Sequence, residues 1–489
     1  TDRYAQTSSN WFKVSNLDGQ SNAHLRGAEF NKRKPKYPIQ HQHEFERDSK
    51  VLSMCSKLLW STLKETTEIL DDGTTFVITG DIKNMWLRDS AAQVHPYVAM
   101  TADKYHDSVR NPARRLVSGV IKRQAFYIRH DPWANAFRKD LRPEGATEWL
   151  GRKGYIATWN YELDSGCYFI RLLYFYWLNV PRDPLFTSKL VKDAVQIMVD
   201  LWSVEQRHEE DKIAEGKLFD CAHCGKPYRY PELPRNGKGS ETAYTGMTWS
   251  GHRPSDDRCR YHFLVPSNMF AFVALGYVVD LAENLWKDLK LQHSAQSLAN
   301  EIKSGIENHG MVAHPKYGRI YAYEVDGLGN HLLMDDANVP SLLSAPYLGY
   351  PVDEMVYRNT RKFILSEQNP TYHTSKDGKV KGYGSPHMAA RIQKNIWPMA
   401  QIIQGLTADS QEEKLQLLDM LVNTDGGTGR MHESYNPDYP ERFTRSWFTW
   451  PESLFAELVM SLTNQCPEKP VKFSLPETKQ TDAKSRIKT

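Results

Sequence analysis

Four stretches of this 489-residue chain pack acids, amides and aromatic rings more densely than plain connectors need. The first, GDIKNMWLRDSAAQVHPY from Gly80 to Tyr97, offers Trp86 as an apolar platform. Beside it Arg88 supplies a donor fork and Asp89 an acceptor for hydroxyl groups. Asp89 could equally cap a helix starting near Ser90. The second, YTGMTWSGHRPSDDRCRYHFLVPSNMF from Tyr244 to Phe270, holds Trp249, Arg253 and the adjacent acids Asp256 and Asp257. Adjacent side chains do not face each other, so one of the two should aim at a bond being broken, and the residues alone do not say which. A proton donor must stay protonated near neutral pH, which takes burial or a nearby like charge. A solvated turn with a helix cap is the alternative. The third, YEVDGLGNHLLMDDANVPSLL from Tyr323 to Leu343, brings Asp335, Asp336 and Asn338 together near Asp326. With Pro340 next, these residues could start a helix, bind hydroxyl groups or hold a cation, though the spacing fits no EF-hand loop. In the fourth, from Asp425 to Phe455, Glu433 follows a Gly-rich entry beside His432, with Trp447 and Trp450 downstream. A carboxylate held there could deprotonate a water; a surface loop Glu is the alternative. A smaller loop, GYGSPHMAARIQKNIWPM, offers His387 and Trp397, but a lone loop histidine is not assigned as acid or base.

Other chemistries lack their residues. GxSxG, HExxH, a P-loop and a dinucleotide fingerprint are missing, and GLGN near Gly327 is too short to bind a pyrophosphate. Cys221 and Cys224 form one CxxC without the second that zinc-ribbon spacing requires, so a local disulfide or two free thiols is the expectation and no metal site is assigned. What is left is carboxylates from well-separated loops with aromatic platforms, the pattern of glycoside hydrolysis.

The elements that must position these loops are helices. Amphipathic segments begin near Glu46, Ala91, Pro112, Glu162, Leu190, Ser267, Ala295, Met355, Ile392, Gln411 and Glu452, split by loops rich in Gly, Pro and aromatics. Ser267 and Ser410 stand where N-caps are needed. Strand alternation is confined to short pieces, TTFVITGD and RIYAYEVDG. This rhythm predicts an all-α toroid of two concentric helical rings, whose loops at one end of the inner ring form a bowl. No repeat of fixed period favours a solenoid. Residues 1–40 are expected to form an extended arm, 41–475 a single catalytic domain and 476–489 a polar tail.

The formal net charge of +3 is small and spread along the chain, which argues against nucleic acid or an anionic membrane as a partner. The longest apolar run, FAFVALGYVVDLA from Phe270, falls short of the roughly 18 residues of a membrane span and is read as a buried helix. Six cysteines permit an oxidising compartment, and N-glycosylation sequons are absent. Thr1 suggests a processed or trimmed start, so a secreted or secretory-pathway protein is expected, and a monomer.

The runs FVITGDIKNMWLRDS, YTGMTWSGHRPSDD, MDDANVPSLLS and GRMHESYNPDYPERFTRSWF, with DPWANAF, YELDSGCY, LWSVEQ, NTRKFILS and GSPH, resemble glycoside hydrolase family 125 from about Phe76 to Phe455. The resemblance implies an (α/α)6 barrel and an exo-acting α-1,6-mannosidase that inverts the anomeric centre without metal or other cofactor. Its substrates would be α-1,6-linked mannosides from mannan or N-glycan fragments. The family's acid falls on Asp256 and its base on Glu433, with Asp257 a neighbour that orients the acid or shifts its pKa. Arg88, Asp89, Asp336, Asn338 and His387 would line the terminal mannose subsite. Trp86, Asp164, Trp249, Arg253, Asp257 and Trp447 complete the expected substrate-binding set. Inversion requires carboxyl groups roughly 6.5–9.5 Å apart, leaving room for a water. The chain departs from the family pattern at Gly166 in DSGCY, in MAARIQKN after His387 and in the CAHC insertion, which puts the contacts around His387 and the rim in question. The competing readings are a mannan-binding protein without catalysis and a calcium-dependent α-mannosidase.

Overall fold

A computed structural model describes residues 49–141, 154–210 and 233–463 of the chain. The expected arm over 1–40, the tail over 476–489 and the CAHC segment lie outside the described residues. Twelve helices alternate between two rings. The outer six are α1 (Ser49–Ser61), α3 (Asp107–His130), α5 (Lys189–Glu205), α7 (Leu289–His309), α9 (Glu354–Ile364) and α11 (Gln411–Asn423). The inner six are α2 (Leu87–Val98), α4 (Leu163–Asn179), α6 (Val265–Asp280), α8 (Ala345–Leu348), α10 (Pro398–Leu406) and α12 (Thr449–Thr463). Around the inner ring α2 packs on α4, α4 on α6, α6 on α8, and α12 on both α10 and α2. A further single turn, Pro234–Gly237, lies outside this order.

Sequence sorts the helices between rings. Outer α9, EMVYRNTRKFI, buries Val356, Tyr357, Thr360, Phe363 and Ile364 on one side and leaves charge on the other. Inner α4 and α6 are apolar nearly all round, and a helix of that kind must be enclosed on every side. The run from Phe270 is therefore part of the barrel lining, although the helical stretch Val265–Trp286 is long and apolar enough to span a membrane. Outer α7, α9 and α11 carry side-chain caps: the Asp288, Asp353 and Ser410 side chains accept from the backbone N–H of Leu291, Val356 and Glu413. Ser267, expected as a cap, instead lies buried in the first turn of α6. Pro266 at the helix start fixes φ there and has no N–H to cap.

The inner helices begin differently. Short antiparallel pieces lead into them: Met85–Trp86 pairs with Ala136–Phe137, and Phe263–Leu264 with Glu324–Val325. The hairpin Tyr372–Thr374 with Lys381–Tyr383 precedes α10, and Ser434–Asn436 with Tyr439–Thr444 precedes α12. These pieces pair the described parts of the outer-to-inner loops in fixed register beside the inner-helix N-termini.

Candidate active site

The bowl contains a cavity of about 100 Å³. Its walls come from residues beside five inner-helix N-termini: Trp86, Arg88 and Asp89 at α2, Ser255 and Asp256 before α6, Asn338 before α8, His387 and Trp397 before α10, and Glu433 and Phe448 before α12. Helix N-termini carry partial positive charge, which favours carboxylates and hydroxyl oxygens there.

Asp256 enters the cavity from a tight turn. Arg253 N–H donates to the Asp257 carbonyl at 2.7 Å, and Asp256 N–H to the Arg253 carbonyl at 2.9 Å. Asp256 itself sits at φ 66°, a left-handed conformation costly for a residue with a side chain. The turn sends the two neighbouring acids apart. Asp256 Oδ1 accepts from Asn135 Nδ2 at 2.7 Å and Asn160 Nδ2 at 3.1 Å, while Asp257 Oδ1 meets His387 Nδ1 at 2.9 Å. Only Asp256 of the pair lines the cavity.

Behind Asp256 lies Arg88, buried against acids. Its Nη1 donates to Glu162 Oε2 and lies 3.5 Å from Asp164 Oδ2, its Nε lies 3.3 Å from Asp89, and its guanidinium lies 5.5 Å from the Trp450 ring centre. Asn135 Nδ2 reaches Glu162 Oε1 at 3.1 Å as well as Asp256. Burial pushes the Glu162 carboxyl well above the usual range against the pull of Arg88, with Asp256 and Asp164 adding to the rise. Burial likewise lifts Asp164 to about 6. For Asp256 burial acts upward too, but Arg88, the Asn160 and Glu162 hydrogen bonds and His387 outweigh it and hold it below the usual value. Asp89 Oδ2 and Trp86 Nε1 are buried with no hydrogen-bond partner among the described residues, polar ends suited to sugar hydroxyls.

Glu433 faces this group from the hairpin that precedes α12. Burial raises its carboxyl, opposed by Arg445, His387 and a hydrogen bond from Thr444, while Asp81 adds to the rise. Arg445, also lining the cavity, donates to Asp81 Oδ1 at 2.7 Å and Thr79 Oγ1 at 2.9 Å, tying the fourth loop to the first. Gly80 completes this seam at φ 125°, where a Cβ would stand 2.7 Å from the Trp447 carbonyl oxygen.

The third loop divides its acids. Asp335 accepts from Leu342 and Leu343 N–H, so it serves the entry to α8 and not the cavity. Asp336 accepts from Ser255, Ser385 and both the backbone and side-chain amides of Asn338, and so positions the cavity residue Asn338. Among the described residues no group of three or more His, Cys, Asp or Glu is arranged to hold a metal ion.

The family model of metal-independent alpha-mannosidases, glycoside hydrolase family 125, matches residues 48–460. The chain belongs to this family. It is 37% identical over 415 residues to the meiotically up-regulated gene 157 protein of Schizosaccharomyces pombe, across 80% of this chain and 77% of that one. It is also similar to a metal-independent alpha-mannosidase of Streptococcus pneumoniae in a non-productive substrate complex with alpha-1,6-mannobiose. That match has 39% identity and TM-score 0.75, covering 87% of this chain and 97% of that one. Glucoamylase from Saccharomycopsis fibuligera, at 12% identity and TM-score 0.53 over 85% and 95% of the two chains, shares the fold alone. The protein is an α-mannosidase, a glycoside hydrolase on the (α/α)6 barrel that the family resemblance implies and that agrees with the two-ring toroid predicted from the helix rhythm.

Within this mannosidase the expected site residues fall into three groups. Asp256, Glu433, Trp86, Arg88, Asp89, Asn338 and His387 line the cavity. Asp164, Asp257 and Asp336 stand behind it, each bonded to a lining residue. Trp249, Arg253 and Trp447 do not line it. Trp249 is fully buried, stacked on His208 at 3.7 Å and His262 at 4.8 Å. Arg253 is committed to Glu324 at 2.6 Å, and the Trp447 ring lies under the Arg430 guanidinium. Sequence reading missed Glu162, Asn135, Asn160 and Arg445 and left Trp397 and Phe448 unassigned. Of these only Trp397, beside His387, carried an aromatic-loop signal.

Proposed function

We propose that the mannosidase removes terminal α-1,6-linked mannose from the non-reducing end, inverting the anomeric configuration. One observation carries this reading: Asp256 and Glu433, each half-buried, enter one small cavity from different loops, with aromatic walls and Arg88, Asp89 and Asn338 also lining it. Asp256 protonates the glycosidic oxygen as the C–O bond breaks, and Glu433 takes a proton from the water that attacks the opposite face. A cavity this small suits one terminal sugar ring better than the interior of a chain, which favours exo action. The α-1,6 linkage is supported by the disaccharide bound to the Streptococcus pneumoniae relative. Residence in the secretory pathway is part of the proposal, supported by the disulfide at Cys55, since such bonds persist in oxidising compartments.

NMR of the first products from α-1,6-mannobiose tests the reading in one measurement. β-Mannose must appear first and mutarotate later. α-Mannose appearing first would replace inversion with retention, and no release of mannose would remove the linkage.

A further inference from the structure

Asp256 does not meet its surroundings as an isolated carboxyl. Asn135 holds it against a second acid, Glu162, the residue before α4. The orientation of that amide is set by its other end, because Asn135 Oδ1 accepts from Thr158 Oγ1 at 2.8 Å and Asn160 N–H at 3.1 Å. Its two N–H groups therefore point one at each carboxyl. Glu162 is 2% exposed, and its Oε2 also accepts from Ser165 Oγ at 3.2 Å. One amide thus ties the two carboxyl groups together, 3.1 Å from Glu162 Oε1 and 2.7 Å from Asp256 Oδ1, and burial with the nearby Asp256 raises the Glu162 carboxyl.

We propose that Glu162 is a positioning residue that shares one proton with Asp256, so that the acid of the reaction is a carboxyl pair rather than Asp256 alone. This rests on Asp256 being the proton donor. The surrounding charges fit one proton per pair. Among the described residues Arg88 of α2 is the one cation paired with Glu162, and Asp89 of α2 and Asp164 of α4 compete for it. His387 from the loop before α10 is the other group facing Asp256, and it is tied to Asp257. Buried like charges this close do not both ionise. Burial favours the proton on Glu162 at rest, and Asp256, which lines the cavity, is the member of the pair that presents it when a glycosidic oxygen arrives. In the reaction the pair gives its one proton through Asp256 to the leaving oxygen, the C–O bond breaks, and water adds to the anomeric carbon while Glu433 takes its proton. Glu433 then releases that proton to solvent and solvent returns one to the pair.

The experiment compares wild type, E162Q and D256N on α-1,6-mannobiose, whose leaving group needs a proton, and on α-mannosyl fluoride, whose leaving group needs almost none. E162Q should lower kcat/KM on mannobiose by at least about 10²-fold and on the fluoride by less than about fivefold. It should also move the basic limb of the mannobiose pH profile downward, because the Gln amide donates to the Asp256 carboxylate and favours the ionised form. Equal loss on both substrates, or no loss on either, overturns the proposal. D256N should show the same selectivity. If it does not, Asp256 is not the donor and both readings fall, whereas D256N selective and E162Q unselective removes Glu162 alone. Should E162Q not fold, infrared spectra of the wild type at neutral pH must contain a protonated-carboxyl band that D256N weakens and E433Q leaves unchanged. A band indifferent to D256N sinks the shared proton.

Discussion

The two sides of the cavity hold a carboxyl group in opposite ways. On the acid side Asp256 is half-buried, its backbone strained at φ 66°, but its Oδ1 is held by two fixed amides and backed by an enclosed group of Glu162, Asp164 and Arg88. On the base side Glu433 is half-buried on a hairpin, and its nearby cation, Arg445, pairs with a partly exposed Asp81. A proton donor needs a store that solvent does not drain, which enclosure provides. A base that activates water needs access to water, which the more open side provides. Both carboxyls are buried enough to depart from ordinary values, and what separates their roles is the number of fixed partners each one has.

The largest test of this contrast is Glu433→Gln. Water must be activated whatever the leaving group, so E433Q should lose about 10²- to 10⁴-fold on mannobiose and fluoride alike, with an unchanged circular dichroism spectrum. Selectivity like that expected of D256N would mean that the two sides do the same work. Next is Arg88→Met. It leaves Glu162 and Asp164 facing Asp89 without a cation and should cost about 3–5 kcal/mol of stability in urea unfolding, as loss of one partner from a buried ion pair does. The deficit should shrink as the pH falls, because protonated carboxyls no longer need the cation. Arg445→Met on the base side, where Arg445 and Asp81 side chains are 12% and 27% exposed, should cost about 1 kcal/mol or less. Equal costs would erase the distinction between an enclosed and an open side.

What the chain disclosed before its structure follows the same division. Ten of the inner and outer helices announce themselves as helical runs split by loops rich in Gly, Pro and aromatics, and even inner α10 is preceded by a visible loop, though it starts at Pro398 and not near Ile392. The exception is α8, four residues from Ala345 to Leu348, too short to show any period. The acid loops were legible because Gly, Trp and Asp crowd together in them. Orientation was not. Asp256 and Asp257 are equivalent in composition, and only the turn at Arg253–Asp257 separates them. Trp249 lies near the acids in sequence, yet His208 at the end of α5 and His262 draw it into the core. Glu162 was visible only as a helix-start residue, because its partners Arg88, Asn135 and Asp256 are 74, 27 and 94 positions away along the chain. Pairings at that separation are decided by ring closure, which leaves no local mark.

A finer test concerns His387, which stands between the two sides. Asp257 raises its proton affinity against the effect of burial, and its charge in turn lowers that of Glu433. Glu433 must be ionised to act, so activity falls as the pH drops through its raised value. Removing the His387 charge lifts that value further, and in His387→Gln the acidic limb of kcat/KM should move to higher pH. A limb that stays in place would show that Glu433 does not sense His387.

The smallest expected effect belongs to Asp257→Asn, and it is the most direct test of the turn. Asp257 and Asp256 differ by one position and one proton-donor role. Asp257 touches the cavity only through His387 Nδ1 at 2.9 Å, with 34% of the His387 side chain and 28% of its own exposed. A partly exposed pair of that kind contributes up to about 1 kcal/mol, so D257N should lower kcat/KM by less than about fivefold, without preference between mannobiose and fluoride. The acidic limb should shift in the same direction as in the His387 variant and by less, since the imidazole stays in place and only its charge is weakened. A loss in D257N rivalling that of D256N would mean that the turn presents the wrong acid. The left-handed backbone at Asp256 would then serve to aim its neighbour.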